Sequence, residues 1–169
     1  MTIEMPDIRI KKFSELSLEE LYAILKVRAE VFVVEQNCPY QDLDGNDDKS
    51  IHVFAMEGND CVGCLRVFMR EDFDTPTAGS EGMPPTDFGD RKVAQVGRVV
   101  TALSHRGTGL GHLLMTHAID VAKTMLPSDI LYLEAQTYAI GFYQKSGFQV
   151  SSTEFLEDGI PHVQMTREF

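Results

Sequence analysis

The sequence has few basic residues, few cysteines and no long apolar run. Its 169 residues include 15 Lys and Arg against 26 Asp and Glu, so the formal net charge is −11. A surface with this charge repels nucleic-acid phosphates and anionic membranes, and it suits a cationic partner. No apolar run approaches the ~20 residues that a membrane-spanning helix needs. We therefore expect neither a nucleic acid nor a membrane as partner.

The first residues also lack the features of a secretion signal. Residues 1–7 contain no basic segment followed by an apolar one, so the cytoplasm is the expected location. The cysteines, Cys38, Cys61 and Cys64, are odd in number, which argues against a disulfide framework. Cys61 and Cys64 have CxxC spacing, but no second CxxC or nearby histidine completes a zinc site. We predict no metal and interpret these two thiols as structural groups near a turn.

Acidic residues are missing from one long stretch of this acidic chain. Between Arg91 and Ile119 there is no Asp or Glu. The same stretch contains Lys92, Arg98 and Arg106. A stretch of this kind inside an acidic protein indicates a place where an anion binds.

Hydrophobic spacing predicts three helices. Ser17 and Glu20 have the spacing of a capping box, which indicates a helix that begins after Ser17 and continues towards Val31. The strongest helical spacing runs over residues 110–125 and follows an apolar, β-branched stretch typical of a buried strand. A third, short helix is predicted over residues 138–145.

The remaining apolar segments predict strands. They span residues 8–13, 51–56, 61–69, 93–101, 130–135, 148–155 and 162–167. The resulting order, β-α-β-β-β-α-β-α-β-β, predicts one α/β domain over residues 1–169, with a mixed central sheet and helices on both faces. Residues 71–90 contain prolines and glycines at irregular spacing and resist any periodic interpretation. Loops of this length in compact domains are usually functional or mobile, so we expect a mobile insertion outside the sheet.

The central motif is the glycine-rich turn over residues 106–111, which follows a predicted strand and opens the strongest helix. Glycines let the backbone approach a ligand, and the free N–H groups of a helix start bind phosphate oxygens. The end of the turn, Leu110-Gly111-His112, lacks the Gly-Lys-Ser/Thr of a P-loop. A Rossmann fingerprint would have its third glycine one residue later and would lie at the first βαβ turn. The spacing thus argues against a nucleotide-binding kinase or a dehydrogenase.

Two blocks of the sequence resemble the GNAT N-acetyltransferases. Arg106-x-x-Gly109-x-Gly111 is similar to the family's Q/R-x-x-G-x-G/A signature, and residues 139–148 resemble its A-x-x-F/L-Y-x-K-x-G-F segment. Residues 28–44 and 157–162 further resemble the ElaA branch of the family. The resemblance covers essentially the whole chain. It implies a GNAT fold and acetyl-CoA as cosubstrate. An amine acceptor of unknown identity would attack the thioester directly in a ternary complex. The chain would act as a monomer or a homodimer.

The resemblance also implies roles for particular residues. Backbone groups at the end of one strand would bind the pantetheine arm and polarise the thioester carbonyl, and Gln136 would contact the arm. Tyr143 would act as general acid beside the CoA sulfur. The residues implied to bind acetyl-CoA are Val99, Val100, Thr101, Arg106, Gly107, Thr108, Gly109, Leu110, Gly111, Gln136 and Tyr143.

The general base is left open. Several relatives carry a glutamate on the strand before the loop, whereas this chain has Gln95 there. The candidates that remain are Glu134, Glu35, His52 and His162, of which Glu134 is predicted to be catalytic together with Tyr143. The missing glutamate keeps a second interpretation open, a regulatory module of the same fold that binds acyl-CoA without turnover.

A cluster of acidic residues over positions 42–48 has a partial likeness to a calcium loop. Counted from Asp42, the glycine falls fourth and the twelfth residue is Val53, whereas an EF-hand needs glycine at six and glutamate at twelve. Two interpretations remain. The segment is either an exposed acidic turn or an edge of the acceptor pocket that attracts a cationic amine.

Overall fold

A computed structural model describes residues 4–73 and 80–169, and within these residues one mixed sheet organises the chain. The strands are β1 (Asp7–Lys12), β2 (Ile51–Glu57), β3 (Asp60–Met69), β4 (Ser80–Glu81), β5 (Val93–Thr101), β6 (Ile130–Gln136), β7 (Gln149–Val150), β8 (Phe155–Glu157) and β9 (Ile160–Glu168). They follow the order β1-β2-β3-β5-β6-β9-β8-β4, and β7 pairs with β9. Strands β5 and β6 are parallel, and their neighbours are antiparallel. The predicted α/β fold class is confirmed.

The helices cover both faces of the sheet, as the sequence predicts. They are α1 (Leu18–Arg28), α2 (Leu110–Thr124) and α3 (Ile140–Gln144). Side chains alternate along a strand, so Phe54 and Cys64 pack with α1 while Leu65 and Val67 pack with α2 on the other face. Apolar burial on both faces therefore fixes the register of the central strands.

Helix α1 begins with the predicted capping box and ends differently from the prediction. The Glu20 N–H donates to Ser17 Oγ at 3.0 Å, and the Ser17 N–H donates to Glu20 Oε1 at 2.9 Å. After Arg28 the chain continues as a π-helix, Ala29–Glu35, rather than ending near Val31. Such wider turns are rare and occur frequently at functional sites.

The predicted strand over residues 148–155 is wrong, because the chain leaves the sheet between β7 and β8. The Gln164 N–H donates to Ser152 Oγ at 2.8 Å, so a side chain replaces the backbone partner that a continuous strand would supply. Strand β8 then turns into β9 through Asp158 and Gly159, with φ of 50° and 76°. Positive φ at two successive residues, here Asp-Gly, is typical of a tight hairpin turn.

The expectation that residues 71–90 lie outside the sheet is also wrong in part. Ser80 and Glu81 form β4, which pairs with Glu157 and Leu156 at the sheet edge. An edge strand has unpaired backbone groups on its outer side, and β4 satisfies those of β8. Residues 74–79 lie outside the described residues, and the mobility of the insertion stays a prediction.

Candidate functional site

Strands β5 and β6 separate after a short paired stretch. Their parallel register runs from Val93 opposite Ile130 to Gln95 opposite Tyr132. Beyond it β5 stays paired to β3 and β6 to β9, so residues 96–101 and 133–136 bound a gap in the middle of the sheet. We call this gap the β5–β6 cleft. Backbone N–H and C=O groups along a separated strand need other partners, which makes the cleft suitable for an extended polar ligand.

A bulge on β5 lies beside the cleft. Val100 is opposite Cys64 and Gly97 is opposite Arg66, so Arg98 and Val99 together face one residue of β3. Arg98 has a φ of 52°, a left-handed conformation that is uncommon for residues with a side chain. Bulges leave one residue outside the ladder and redirect the strand, and they are frequent next to active sites.

Three arginines and three aspartates form a buried ion network beneath this bulge. Arg28 is 1% exposed, and its Nε and Nη1 lie 3.0 Å from Asp42 Oδ2 and 2.7 Å from Asp47 Oδ1. The Arg66 guanidinium is 2.6 Å from Asp44 Oδ2 and 3.1 Å from Asp47 Oδ1. The third arginine is Arg98, whose Nε lies 2.8 Å from Asp42 Oδ1 and whose Nη2 donates to the Asp42 carbonyl at 2.9 Å.

The network corrects the second interpretation of the acidic segment over residues 42–48, in which it attracts a cationic amine. Burial alone would raise the pKa of Asp44, but the hydrogen bonds and charge of Arg66 hold it well below its usual range. Burial likewise opposes ionisation of Asp47, and Arg28 more than compensates, which lowers its pKa. These carboxylates are ionised and already paired with arginines. The segment is exposed around residues 43–45, as an exposed turn would be, but these carboxylates are not free to attract a cationic acceptor.

The glycine-rich turn lies directly after β5. Gly109 caps α2 with a φ of 88°, and no side chain caps this helix start. A Cβ at Gly111 would lie 3.1 Å from the Phe142 ring, so the helix start and α3 approach each other only because residue 111 has no side chain. The first N–H groups of a helix have no partner within it, and here they follow two glycines in left-handed conformation. The predicted anion cradle over residues 106–111 therefore has the required backbone geometry.

The guanidinium of Arg106 is held between β5 and the π-helix. Its Nε donates to the Thr101 carbonyl at 3.1 Å, and its two terminal nitrogens donate to the two oxygens of Glu35, with Nη2 2.8 Å from Oε2. The hydrogen bonds from Arg106 lower the pKa of Glu35. A carboxylate in this state is a weak base, so Glu35 is a poor candidate for that role.

The chain after the π-helix reaches across to the far side of the cleft. Gln136 Nε2 lies 3.4 Å from Gln36 Oε1, at the end of β6. Cys38 Sγ lies 3.9 Å from the Asp158 carbonyl, in the turn between β8 and β9. Residues 36–38 therefore border one end of the β5–β6 cleft. The sequence indicated Gln136 as a site residue and gave no reason to single out Gln36.

Tyr143 on α3 packs in the core near the end of β6. Its ring is edge-on to Phe142, with centroids 5.1 Å apart, and to Phe148 at 6.2 Å. The residue is 9% exposed and belongs to the same cluster as Leu110 and Ala135. Burial raises the pKa of Tyr143, so the hydroxyl keeps its proton at neutral pH. It is suited to donating a hydrogen bond towards the cleft.

Two carboxyl groups meet on the opposite face of the sheet. The carboxyl groups of Glu134 on β6 and Glu157 on β8 are close enough to interact, and Tyr132 donates its hydroxyl proton to Glu134 Oε1 at 3.0 Å. Burial and the charge of Glu134 raise the pKa of Glu157 to about 8. Sequence reasoning selected Glu134 and missed Glu157. The segment that contains Glu157 was noted for its resemblance to relatives, but its partner lies more than twenty residues away in the chain.

The two candidate histidines differ in position. His52 is buried with Nε2 2.9 Å from the Asp47 carbonyl, and burial lowers its pKa, so it supports the ion network rather than the cleft. His162 lies beside the carboxyl pair, with Nε2 3.5 Å from Glu157 Oε2. Of the four base candidates, the structure thus brings Glu134 and His162 together.

The described residues also bear on the predictions for the CxxC cysteines, a metal site and a membrane-spanning helix. Cys61 and Cys64 are buried free thiols on β3, and Cys61 Sγ lies 3.3 Å from the Gly63 carbonyl. In the same part of the chain, no group of three or more His, Cys, Asp or Glu side chains is arranged to hold a metal. None of the helices in residues 4–73 and 80–169 has the length and apolar character needed to span a bilayer.

Comparison with known proteins gives concordant matches along the chain. A family model described as an acetyltransferase (GNAT) domain matches residues 14–169. Protein ElaA of Escherichia coli K12 is 36% identical over 157 residues, which cover 92% of each chain. The crystal structure of Escherichia coli ElaA has a TM-score of 0.79 at 33% identity and covers 97% of this chain and 100% of that one.

Two further solved structures are similar. An acyl-CoA N-acyltransferase from Pseudomonas aeruginosa has a TM-score of 0.77 at 35% identity and covers 95% of this chain and 99% of that one. A GNAT family acetyltransferase from Elizabethkingia anophelis, solved with acetyl-CoA bound, shares the fold with a TM-score of 0.57 at 16% identity, over 96% and 98% of the two chains.

Proposed function

The chain belongs to the GNAT acetyltransferase family, and we propose that it transfers the acetyl group of acetyl-CoA to the nitrogen of an amine by direct attack in a ternary complex. The observation that carries this proposal is the β5–β6 cleft, which lies beside an uncapped helix start. A linear thioester with a diphosphate at its far end fits that combination. Backbone groups in the cleft suit the amide-containing arm, and the helix start suits the diphosphate.

The glycine-rich turn has room for a diphosphate. A Cβ built at Gly107 or Gly109 has no atom within 4 Å, so the space above both residues is open. Several N–H groups at one positive helix end stabilise an anion without a side-chain charge. We assign the diphosphate to the backbone of residues 106–111. Arg106 would contribute its guanidinium if it exchanged part of its contact with Glu35.

The pantetheine arm is assigned to the β5 side of the cleft. Val99, Val100 and Thr101 lie on the part of β5 that no longer pairs with β6. Their backbone groups would hold the amides of the arm, and Gln136 at the end of β6 would contact it from the opposite side. An N–H group from the bulge would donate to the thioester carbonyl oxygen, which gains negative charge as the amine attacks.

The hydroxyl of Tyr143 is assigned to the sulfur side of the reaction. The acetyl thioester supplies an activated carbonyl carbon and a thiolate leaving group with an ordinary thiol pKa near ~8.5. Because burial raises its pKa, Tyr143 stays protonated and donates to the sulfur as negative charge develops there. On the other face, the carboxyl pair to which Glu134 belongs is available for the proton that the acceptor nitrogen loses.

The test measures binding and turnover separately on the purified full-length chain. Acetyl-CoA affinity is measured by isothermal titration calorimetry, and free thiol is followed with a chromogenic disulfide in the presence of spermidine, glucosamine or a peptide with a free N-terminus. We expect acetyl-CoA binding and amine-dependent thiol release, with the N-acetylated product identified by mass spectrometry. Tight binding without thiol release from any of these amines would favour the acyl-CoA-binding module instead. Absence of binding would contradict both functions.

A further inference from the structure

We propose that Glu157 is the catalytic residue that takes the proton from the acceptor ammonium, and that Glu134 and His162 position it for this step. The proposal rests on the proposed function, because it assigns the proton acceptor of that reaction. It begins from the place of the residues in the sheet. Leu133 and Ala135 face the α2 core, so Glu134 between them faces the opposite side.

Strand register brings the other two residues to the same face. Val163 and Met165 on β9 also face the α2 core, so His162 faces away from it. Phe155 of β8 is opposite His162, and their rings stack with centroids 5.9 Å apart. Glu157 lies two residues beyond Phe155 and therefore projects from the same face. Three strands thus converge on one cluster at the wall of the cleft, since Glu134 lies beyond Tyr132, the last residue of β6 that pairs with β5.

The contacts within this cluster hold Glu157 in place without neutralising it by a cation. Its carboxyl interacts with that of Glu134, and Glu134 accepts the hydroxyl proton of Tyr132. His162 Nδ1 lies 2.7 Å from the Ile160 carbonyl, and because a carbonyl oxygen only accepts, Nδ1 carries a proton and donates it to that oxygen. This contact fixes the orientation of the ring. His162 Nε2 then faces Glu157 Oε2 at 3.5 Å.

The charges around Glu157 match the task of a base. Burial is the largest influence on its pKa, followed by the charge and hydrogen bond of Glu134 and the charge of Asp158, and these outweigh Arg98 to give a pKa of about 8. Glu157 therefore holds its proton near neutral pH and loses it as the pH rises through about 8. Once Glu157 is ionised, it accepts a proton from an ammonium more readily than an ordinary carboxylate with a pKa near ~4.3 would.

The cluster also occupies the place left by a missing carboxylate. Gln95 on β5 is opposite Tyr132 in the parallel register, and Arg70 Nη1 lies 3.4 Å from Gln95 Oε1. An amide cannot accept a proton at neutral pH, so β5 offers no base at this position. Glu134 on the adjacent strand β6 and Glu157 on β8, beyond β9, bring carboxyl groups to the same face of the sheet.

The acceptor nitrogen loses two protons during the reaction, and the departing sulfur gains one. The acceptor ammonium loses one proton to the Glu157 carboxylate, and the neutral nitrogen forms the C–N bond as the C–S bond breaks. The second proton of the nitrogen is released as the amide forms, and the thiolate takes up one proton on the side of Tyr143. Glu157 returns its proton to solvent, so the net reaction releases one proton. The pair carries negative charge throughout, which indicates a primary alkyl ammonium as acceptor rather than an anionic one.

The experiment compares three substitutions in the full-length protein with the best amine among spermidine, glucosamine and the peptide. The kcat/KM of the parent should rise with pH to a plateau with an apparent pKa near 8, since kcat/KM reports groups of the free enzyme. Glu157→Gln should lower kcat/KM about 10²-fold or more and abolish this rise with pH. Glu134→Gln should keep the rise of kcat/KM but move it to lower pH, because it removes the negative charge that raises the pKa of Glu157. Glu154→Gln, an exposed residue of the same segment, should match the parent.

Folding is checked by the acetyl-CoA dissociation constant and the thermal unfolding midpoint of each variant. A second measurement follows the side-chain carboxyl ¹³C shift of Glu157 in the acetyl-CoA complex, which should titrate near pH 8 in the parent. If Glu157→Gln retains the parent's kcat/KM and its rise with pH, the assignment of the base is overturned while the acetyltransferase proposal stands. If the parent acetylates none of the three amines, the proposed function fails, and the base assignment fails with it.

Discussion

Arg98 has a left-handed backbone, with φ of 52°, while its guanidinium Nε lies 2.8 Å from Asp42 Oδ1. The two features belong together. A left-handed conformation costs about 1–2 kcal/mol for a residue with a Cβ, so it persists only where surrounding contacts compensate. Asp42 is in turn fixed by Arg28 and Tyr40. The network thus holds the β5 bulge in the position from which its backbone faces the cleft.

Replacing Arg98 by two small residues separates the backbone cost from the ion pair. Arg98→Ala and Arg98→Gly both remove the contact to Asp42, but only glycine adopts a positive φ without strain. We expect Arg98→Ala to have a free energy of unfolding about 1 kcal/mol below that of Arg98→Gly. Urea denaturation of both variants measures the difference. Equal stability would mean that the bulge relaxes once the ion pair is lost.

Arg28 is predicted to be the most sensitive member of the network. Arg28→Met removes the most buried cation of the network, the one that Asp42 and Asp47 share, and breaking a buried pair typically costs about 3–5 kcal/mol. Arg91→Met is the matched control, because Arg91 is 49% exposed and pairs with the exposed Glu168. We expect a change within about 1 kcal/mol there. Urea unfolding of both variants is the measurement, and similar losses would contradict the role assigned to burial.

The assignment of the diphosphate to the turn predicts a charge-specific loss of binding. Gly109→Asp places a carboxylate in the open space above the helix start and should weaken acetyl-CoA binding at least about 10-fold by repulsion. Gly89→Asp introduces the same side chain at another glycine of positive φ, with φ of 61°, and should leave the affinity unchanged. Calorimetric titration of acetyl-CoA compares the two. Equal affinity in a folded Gly109→Asp variant would exclude this turn as the diphosphate site.

The features that the sequence predicted well depend on residues close together in the chain. The capping box at Ser17 and Glu20 and the glycine turn before α2 are local patterns, and the structure contains both. The central strands were predicted because a run of apolar, β-branched residues indicates a buried strand whichever strands it pairs with. At the edge of the sheet, the prediction missed the short strand β4 and the interruption between β7 and β8, where Ser152 replaces a backbone partner.

The features that were missed depend on which strands lie side by side. Asp44 and Arg66 are far apart in sequence, and nothing in either segment indicates that the acidic residues are paired and buried. In the same way, Glu157 is an ordinary acidic residue near a turn until β8 joins the sheet beyond β9 and brings it to Glu134. Spacing within the sequence carries no information on such registers. The left-handed Arg98 is of the same kind, because its conformation is stabilised by a network formed from three separate segments.

Tyr143→Phe tests whether the buried hydroxyl takes part in the reaction. The substitution keeps the ring contacts with Phe142 and Phe148 and removes only the oxygen. If the hydroxyl donates to the developing thiolate, kcat should fall about 10²-fold while the acetyl-CoA dissociation constant stays nearly the same, because the interaction is stronger in the transition state. The measurement combines kcat on the best amine with calorimetric binding.

A control variant and a test of which step limits turnover complete the experiment on Tyr143. Tyr22→Phe removes the hydroxyl of an exposed tyrosine on α1 and should leave kcat unchanged. Pre-steady-state thiol release shows whether chemistry limits turnover in the parent, because a burst would mean that product release is slower. A loss confined to KM would indicate uniform binding rather than a role in the chemical step. With chemistry rate-limiting, full kcat in Tyr143→Phe would reduce Tyr143 to a packing residue and leave the thiolate to be protonated by solvent.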